Sequence, residues 1–423
     1  MRILFINPNT YQSPPVPPLA LEYLSAALDG SRHERRILDL CFSDDPLADT
    51  AHVLDDFRPD LAAVTVRNID TVIRANNVFF LDSIRKLING IRERGVPVVA
   101  GGAGFSFNPA DVLSYIGADW GVAGPGERAI ALLADRLAAD PPEMGTVLDG
   151  WSLGFDPDMT VVRGRGIDYS RYIASGGLAG FQTQKGCLER CPYCAEGTGR
   201  HAIRTPGAVV GEIASLVESG ITDFHLCDTE FNQDLGFCKT FLRSLIDARL
   251  PIRWALYMKT SPWDDELFGL LAASGAYLVT VSIPTGIDSL ENAGGLIASA
   301  KANGLNIAVD LLVGFPGDTG DSIAGTIATL HSMKPDTVGV NATIRLYEGL
   351  PVTRRILSSD QEREFIDGDI VGNPGLIRPV FYNHLTVDAL RDIIGHDPLF
   401  KIEGFERTSN YERIPRASGT TGS

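Results

Sequence analysis

The chain has 423 residues, 44% hydrophobic and 21% charged, enough for two or three domains with sizeable cores. Lys+Arg 37 against Asp+Glu 53 leaves a net charge of −16 with no like-charge block, which argues against non-specific binding to nucleic acid or an anionic membrane. No apolar run approaches the roughly 18 residues of a membrane span, Met1–Asn7 is too short for a signal peptide, and six cysteines are too few for a disulfide scaffold, so a cytoplasmic location is expected.

Residues 1–137 alternate short apolar runs with helical patterns. Strands are expected at 2–7, 36–40, 61–66, 97–100 and 120–123. Helices are expected at 19–28, 51–57, 84–94 and 110–115, with a last one opening at Gly124-Pro125-Gly126-Glu127. The run 61–66 is apolar throughout, as in a strand buried on both faces of a parallel sheet. Five β-α units with short connections predict a doubly wound, flavodoxin-like parallel sheet over residues 1–139. Ligands of such sheets sit outside the C-terminal strand ends. Residues 140–172, rich in Pro and Gly, read as a linker.

The alternation restarts at Gly180. Strands are expected at 180–184, 223–227, 252–257, 277–282, 306–312 and 337–343. Helices are expected between them at 208–218, 235–248, 264–273, 289–303 and 322–333. Six strands over 173–346 suit a partial (β/α)6 barrel with its chemistry at the C-terminal strand ends. Residues 347–423 form a mixed C-terminal region ending in a polar tail, 416–423, expected to be disordered.

The sharpest signal is Cys187-x3-Cys191-x2-Cys194 after the first barrel strand. Three thiolates hold three irons of a [4Fe–4S] cluster and leave the fourth iron open. Zinc wants four ligands, usually as two separated pairs. His201 could be a fourth, but a second pair is missing. Cys41 and Cys238 read as small core residues, and Cys227, which ends a strand beside Asp228, reads either as core or as lining the pocket, core being preferred. His225 alternates within a strand, as a satisfied core histidine does. Asp264-Asp265-Glu266 reads as a helix start. Gly101-Gly102-Ala103-Gly104 is not a dinucleotide fingerprint.

The cysteine motif, with Tyr193 before its last cysteine, resembles the radical S-adenosylmethionine (SAM) superfamily over residues 180–347. Asp228-Thr229-Glu230-Phe231 resembles the acidic segment near the SAM amino group. Ser282 to Gly286 is similar to the ribose and carboxylate region. Leu312-Val313-Gly314-Phe315-Pro316-Gly317-Asp318-Thr319 is similar to the turn beside the adenine. The resemblance implies a SAM pocket drawn from Tyr193, Asp228, Glu230, Lys259, Ser282, Thr285, Gly314 and Phe315. It leaves open which carboxylate meets the ammonium.

The first domain resembles the cobalamin-binding domain that precedes many radical SAM barrels. The resemblance rests on Pro17 to Leu24, Arg58 to Leu61, Val98 to Ala103 and Gly124 to Glu127. It implies cobalamin contacts at Arg67, Gly101, Gly102, Gly124 and Glu127. The loop Asn7-Pro8-Asn9-Thr10-Tyr11-Gln12 lacks the histidine that ligates cobalt elsewhere, and His33 lies at the other end of the sheet. Arg67 is therefore the expected neighbour of the lower corrin face. A domain that only packs on the barrel is the other reading.

Together these features imply a cobalamin-dependent radical SAM methyltransferase acting on a small metabolite or natural-product intermediate. Its reductant would be of the flavodoxin or ferredoxin type, and neither nucleic acid nor membrane is an expected partner. The same folds also admit rearrangement, cyclisation or 3-amino-3-carboxypropyl transfer to a heteroatom. A non-catalytic iron–sulfur or zinc module is a third reading, which the ordered strand-end motifs oppose. No residue is singled out as catalytic.

Overall fold

The computed structural model describes residues 1–137, 139–286 and 290–405. The polar tail 416–423 and the expected helix start at Ser289 lie outside the described residues.

Six parallel strands form the first sheet: β1 (Arg2–Asn7), β2 (Glu34–Asp39), β3 (Leu61–Thr65), β4 (Val98–Gly101), β5 (Trp120–Ala123) and β6 (Val147–Asp149). Their order is β2-β1-β3-β4-β5-β6. All five residues of β3 are buried, as expected of its apolar run. Helices on both faces bury Val53, Leu54, Ile84 and Ile88 on one side and Leu21, Ile130 and Leu133 on the other. Local signals set their ends. Asp45 accepts from Ala48 N ahead of Pro46 at the first turn, and Gly117 closes another helix at φ 72°. Strand order reverses between β1 and β3, so the ligand crevice opens at their C-terminal ends. Arg67 lies just past β3. The expected linker 140–172 supplies β6, an extra edge strand. Its three residues, lying among prolines and glycines, are too few to show a period.

The second domain contains β7 (Ala179–Phe181), β8 (Gln184–Cys187), β9 (Arg200–Ile203), β10 (Asp223–Leu226), β11 (Arg253–Met258), β12 (Ala276–Pro284), β13 (Asn306–Leu312) and β14 (Thr337–Asn341). The C-terminal region adds β15 (Ile344–Arg345), β16 (Ile366–Asp367), β17 (Phe381–Tyr382) and β18 (Phe400–Ile402). The barrel sheet runs β18-β14-β13-β12-β11-β10-β7, every pairing parallel. Phe181, Trp254, Val279, Val309 and Val338 pack under the helices. Two expectations change. The strand expected at 180–184 stops at Phe181, and Gln184 opens an antiparallel hairpin, β8–β9, whose loop carries the cysteines. A seventh strand, β18, joins from the C-terminal region, because the edge of β14 offers it a free ladder.

Buried polar groups join the domains. Arg163, from the 140–172 segment, donates to Glu22 of the first domain at 2.6 Å and to Gly180 O at 2.9 Å. It also pairs with Glu212 of the helix Pro206–Glu218, and Arg204 donates to the other Glu212 oxygen at 2.6 Å. Two arginines and two glutamates, all buried, balance in charge, and Tyr23 and Tyr169 donate to the glutamates, leaving Arg204 Nε without a partner among the described residues. Removing one partner of such a network costs about 3–5 kcal/mol. On the other flank, Arg345 of the C-terminal region donates to Asp70, three residues past Arg67, at 2.8 Å.

Candidate active site

The two sheets turn their C-terminal ends toward one another. Trp151 fills the seam: a Cβ on Gly124, after β5, would lie 2.5 Å from its ring, and one on Gly186, beside Cys187, 2.8 Å away. Both glycines also hold positive φ, 85° and 74°. Gly124, an expected cobalamin contact, also makes room for a neighbouring indole. Glu127, also expected there, takes part in a contact between the domains. Its Oε1 accepts from Lys185 Nζ at 2.6 Å, so the helix after β5 is tied to the cysteine strand. Its Oε2 is buried without a partner among the described residues.

Cys187 ends β8, and Cys191 and Cys194 follow in the hairpin loop. Cys194 N donates to Cys191 O at 3.1 Å. The C-terminal region braces this loop: Val352 N donates to Pro192 O at 3.1 Å, and Tyr193 meets Phe315 edge-on at 5.3 Å. Burial pushes all three thiols up, Cys194 to about 11, so thiolates there require a cation at sulfur. All three are free thiols. Among the described residues no three His, Cys, Asp or Glu side chains converge on a single-ion site. Thiols that each bind a different iron do not need to converge. His201, the alternative fourth ligand, instead contacts Gln184 Oε1 at 2.7 Å.

Of the two acidic candidates, Asp228 is engaged in the protein. It accepts from Thr183 N at 2.8 Å, Gln184 N at 3.0 Å, Gln184 Nε2 at 3.2 Å and the Thr183 hydroxyl. It therefore shapes the turn that leads into Cys187, which bears on the choice left open between the two carboxylates. Burial raises it to about 6 against those hydrogen bonds. Glu230 behaves differently. Its Oε2 is buried with no partner among the described residues. Burial raises it to about 7, Glu189 and Glu196 add to the rise, and Lys259 opposes it. A buried carboxylate oxygen without a donor fits an incoming ammonium. Lys259, expected in the pocket, pairs with Glu189.

At the end of β13, Asp318 organises the Gly-Phe-Pro-Gly turn. One oxygen accepts from Gly314 N at 2.8 Å, Phe315 N at 2.9 Å and the Thr285 hydroxyl. Thr285, expected in the SAM pocket, thus braces the turn, and Asp318 is a site residue that the motif contained but that was not singled out in the sequence. Ser282 lies on β12 opposite Asp310.

On the first domain, Gly101 packs on β5, where a Cβ would lie 3.3 Å from Val122 O. Gly102 has φ 111°, and a Cβ there would lie 2.6 Å from Val66 O. The loops after β3 and β4 therefore touch, and they present Arg67 at the crevice. No ion pair among the described residues includes Arg67. Its charge nonetheless reaches the barrel. Burial and then Arg67 lower His225 to about 4, while burial lifts the Cys227 thiol to about 11 with Arg67 opposing. Cys227 is solvent-accessible though surrounded by protein, so it lines the inside of the barrel mouth. A partner-free cation at the switch point, close glycine loops and a facing barrel mouth fit a corrin between the domains. A cavity of about 490 Å³ between the helices Pro46–Phe57 and Leu81–Arg92 lies away from all these residues.

Residues 13–134 match the family model of the B12 binding domain. A tryptophan 2-C-methyltransferase from Streptomyces laurentii is 30% identical, covering 82% of this chain and 73% of that protein. The chain belongs to the cobalamin-dependent radical SAM methyltransferases. Cobalamin, a [4Fe–4S] cluster and SAM are the cofactors of this family, and α/β sheets of both kinds are its fold. The radical SAM methyltransferase TsrM from Kitasatospora setae, solved with cobalamin and a [4Fe–4S] cluster, superposes with a TM-score of 0.84 at 26% identity, covering 94% of this chain and 91% of that one. The same enzyme with tryptophan and a SAM analogue gives 0.83 at 27% identity, covering 94% and 89%. The cytidylyl-2-hydroxyethylphosphonate methyltransferase of Streptomyces wedmorensis is 30% identical over 36% of this chain and 32% of its own length. Among the described residues of this methyltransferase, no helix is long and apolar enough to cross a membrane.

Proposed function

We infer that this methyltransferase transfers a methyl group to a carbon of an aromatic amino acid, with tryptophan as the acceptor. The observation that carries the reading is the 30% identity to a tryptophan 2-C-methyltransferase across 82% of the chain. The acidic composition, with a net charge of −16, favours a small-molecule acceptor over a nucleic acid.

Bound cobalamin supplies a methyl carrier, SAM the methyl group, and the cluster an anchoring iron for SAM. The chain's own residues do the rest. Cys187, Cys191 and Cys194 hold the cluster, and Asp228 sets the turn into Cys187. Glu230 accepts a hydrogen bond from the SAM ammonium, and its burial strengthens that bond. The turn Gly314–Asp318, with Phe315 against Tyr193, borders the adenine. Arg67 would face the lower side of a bound corrin, where a cation would not ligate cobalt. Gly101 and Gly102 let the backbone come close. The domain limits proposed are 1–139, 140–172, 173–346 and 347–423. The protein works in the cytoplasm with a flavodoxin- or ferredoxin-type reductant, as its acidic composition and free thiols suit.

The test is anaerobic reconstitution with iron, sulfide and cobalamin, followed by SAM and L-tryptophan with and without reductant. A product 14 mass units heavier, with the methyl on an indole carbon, is expected for one methyl replacing one hydrogen, a mass of about 14 by simple composition. SAM consumption with no methylated indole overturns the acceptor.

A further inference from the structure

We propose that the inner face of the barrel carries a cradle for the zwitterionic end of the acceptor, with Asp310 facing its α-ammonium and Lys401 its α-carboxylate. This rests on the amino-acid reading above.

Register places the parts. Ser282 pairs with Asp310, Asp310 with Gly339, and Gly339 with Lys401, giving one row across β12, β13, β14 and β18. The residues on either side of this row, Val309 and Leu311, Val338 and Val340, Phe400 and Ile402, all lie in the core beneath the helices. Alternation along each strand therefore turns Ser282, Asp310 and Lys401 to the opposite, inner face. None of the three is fully buried. Deeper in the barrel, Ala255, Leu278 and Ala308 form an apolar cluster. The row is thus a polar layer above an apolar floor.

Gly339 decides the spacing. It puts no side chain between a carboxylate strand and an ammonium strand that stand two strand spacings, about 10 Å, apart. An α-amino acid carries its ammonium and its carboxylate on one carbon, which suits a gap flanked by the two opposite charges. No ion pair among the described residues includes Lys401. An amino acid anchored over Gly339 would extend its side chain from the polar row across the inner face of the barrel. Sequence reading passed over the row because β18 joins the barrel from outside the expected domain.

Calorimetry on the holoenzyme with three probes tests the cradle: L-tryptophan, tryptamine, which lacks the carboxylate, and indole-3-propionate, which lacks the ammonium. The wild type should bind tryptophan at least about tenfold tighter than either analogue, the worth of one charge-assisted hydrogen bond. Asp310→Asn should weaken tryptophan and tryptamine about tenfold and leave indole-3-propionate unchanged. Lys401→Met should do the converse. Iron and cobalamin content report whether each variant is folded. Equal effects on all three probes, or none on any, overturn the cradle. Methylation of tryptophan by the wild type is scored separately. Methylation without discrimination removes the cradle alone, and discrimination without methylation removes the acceptor reading alone.

Discussion

Lys185 Nζ lies 2.6 Å from Glu127 Oε1, and the pair joins the cobalamin-binding domain to the barrel two residues ahead of Cys187. The ammonium also lies over the rings of Tyr23 and Phe155, at 5.2 and 5.4 Å. Burial alone would raise Glu127, but the Lys185 charge prevails and holds its carboxyl below the usual range. A lowered acid stabilises the fold above its unfolded value and loses that contribution as pH falls through its folded value. The pair should therefore weaken below about pH 4.5, the ordinary range for a glutamate. Lys185→Met leaves a buried carboxylate unpaired and should cost about 3 kcal/mol at pH 7. Urea denaturation at pH 7 and pH 4 checks both: the cost should shrink at the lower pH.

The two acids after β10 should separate in function. Asp228→Asn puts an amide against two backbone N–H donors at 2.8 and 3.0 Å and should loosen the turn into Cys187. Reduced iron retention after anaerobic reconstitution is the expected result. Glu230→Gln should keep its iron and lose roughly tenfold in SAM affinity, the worth of one charge-assisted hydrogen bond. Iron analysis and SAM calorimetry read the two outcomes. Equal SAM losses with intact iron in both variants contradict the assignment.

Asp318 should matter for SAM without touching the cysteines. Its oxygen closes the turn by accepting from Gly314 N and Phe315 N. Asp318→Ala leaves both donors unpaired and frees a glycine at φ 86°. An increase in the KM for SAM of about tenfold, with iron and cobalamin content unchanged, is the expected outcome.

His225 should contribute an acid limb to the stability curve. Burial first, then Arg67, hold it to about 4 in the folded chain. A histidine with a lowered value stabilises the fold above its unfolded value near 6.5, and that contribution fades as pH falls toward 4. At pH 5 the unfolded chain takes a proton that the native one refuses, a difference on the order of 2 kcal/mol. His225→Gln should flatten the slope of stability between pH 6.5 and pH 4 in denaturant titrations. An unchanged slope assigns the acid limb to other groups.

The cysteine spacing, the apolar strand at 61–66 and the strand-end turns could be read from the sequence because each is local. A thiol triplet, a run of buried residues or a glycine turn declares itself within about ten positions. The flavodoxin-like order and the barrel followed from alternation alone. Partners across long separations could not be read. Asp228 and Glu230 stand two residues apart in identical company, yet Thr183 and Gln184 claim one and leave the other. That Glu127 pairs with Lys185, 58 residues on, was likewise not legible in the sequence. β6 and β18 were hidden because three-residue strands have no period, and they form only where a neighbouring strand offers its edge. Hydrogen-bond and charge partners are assigned by the packing of distant segments, whereas the types of chemistry present are written in short motifs. The sequence by itself determined the cofactors and fold class. Only the tertiary structure decided which carboxylates are engaged by the protein and which remain available to a ligand.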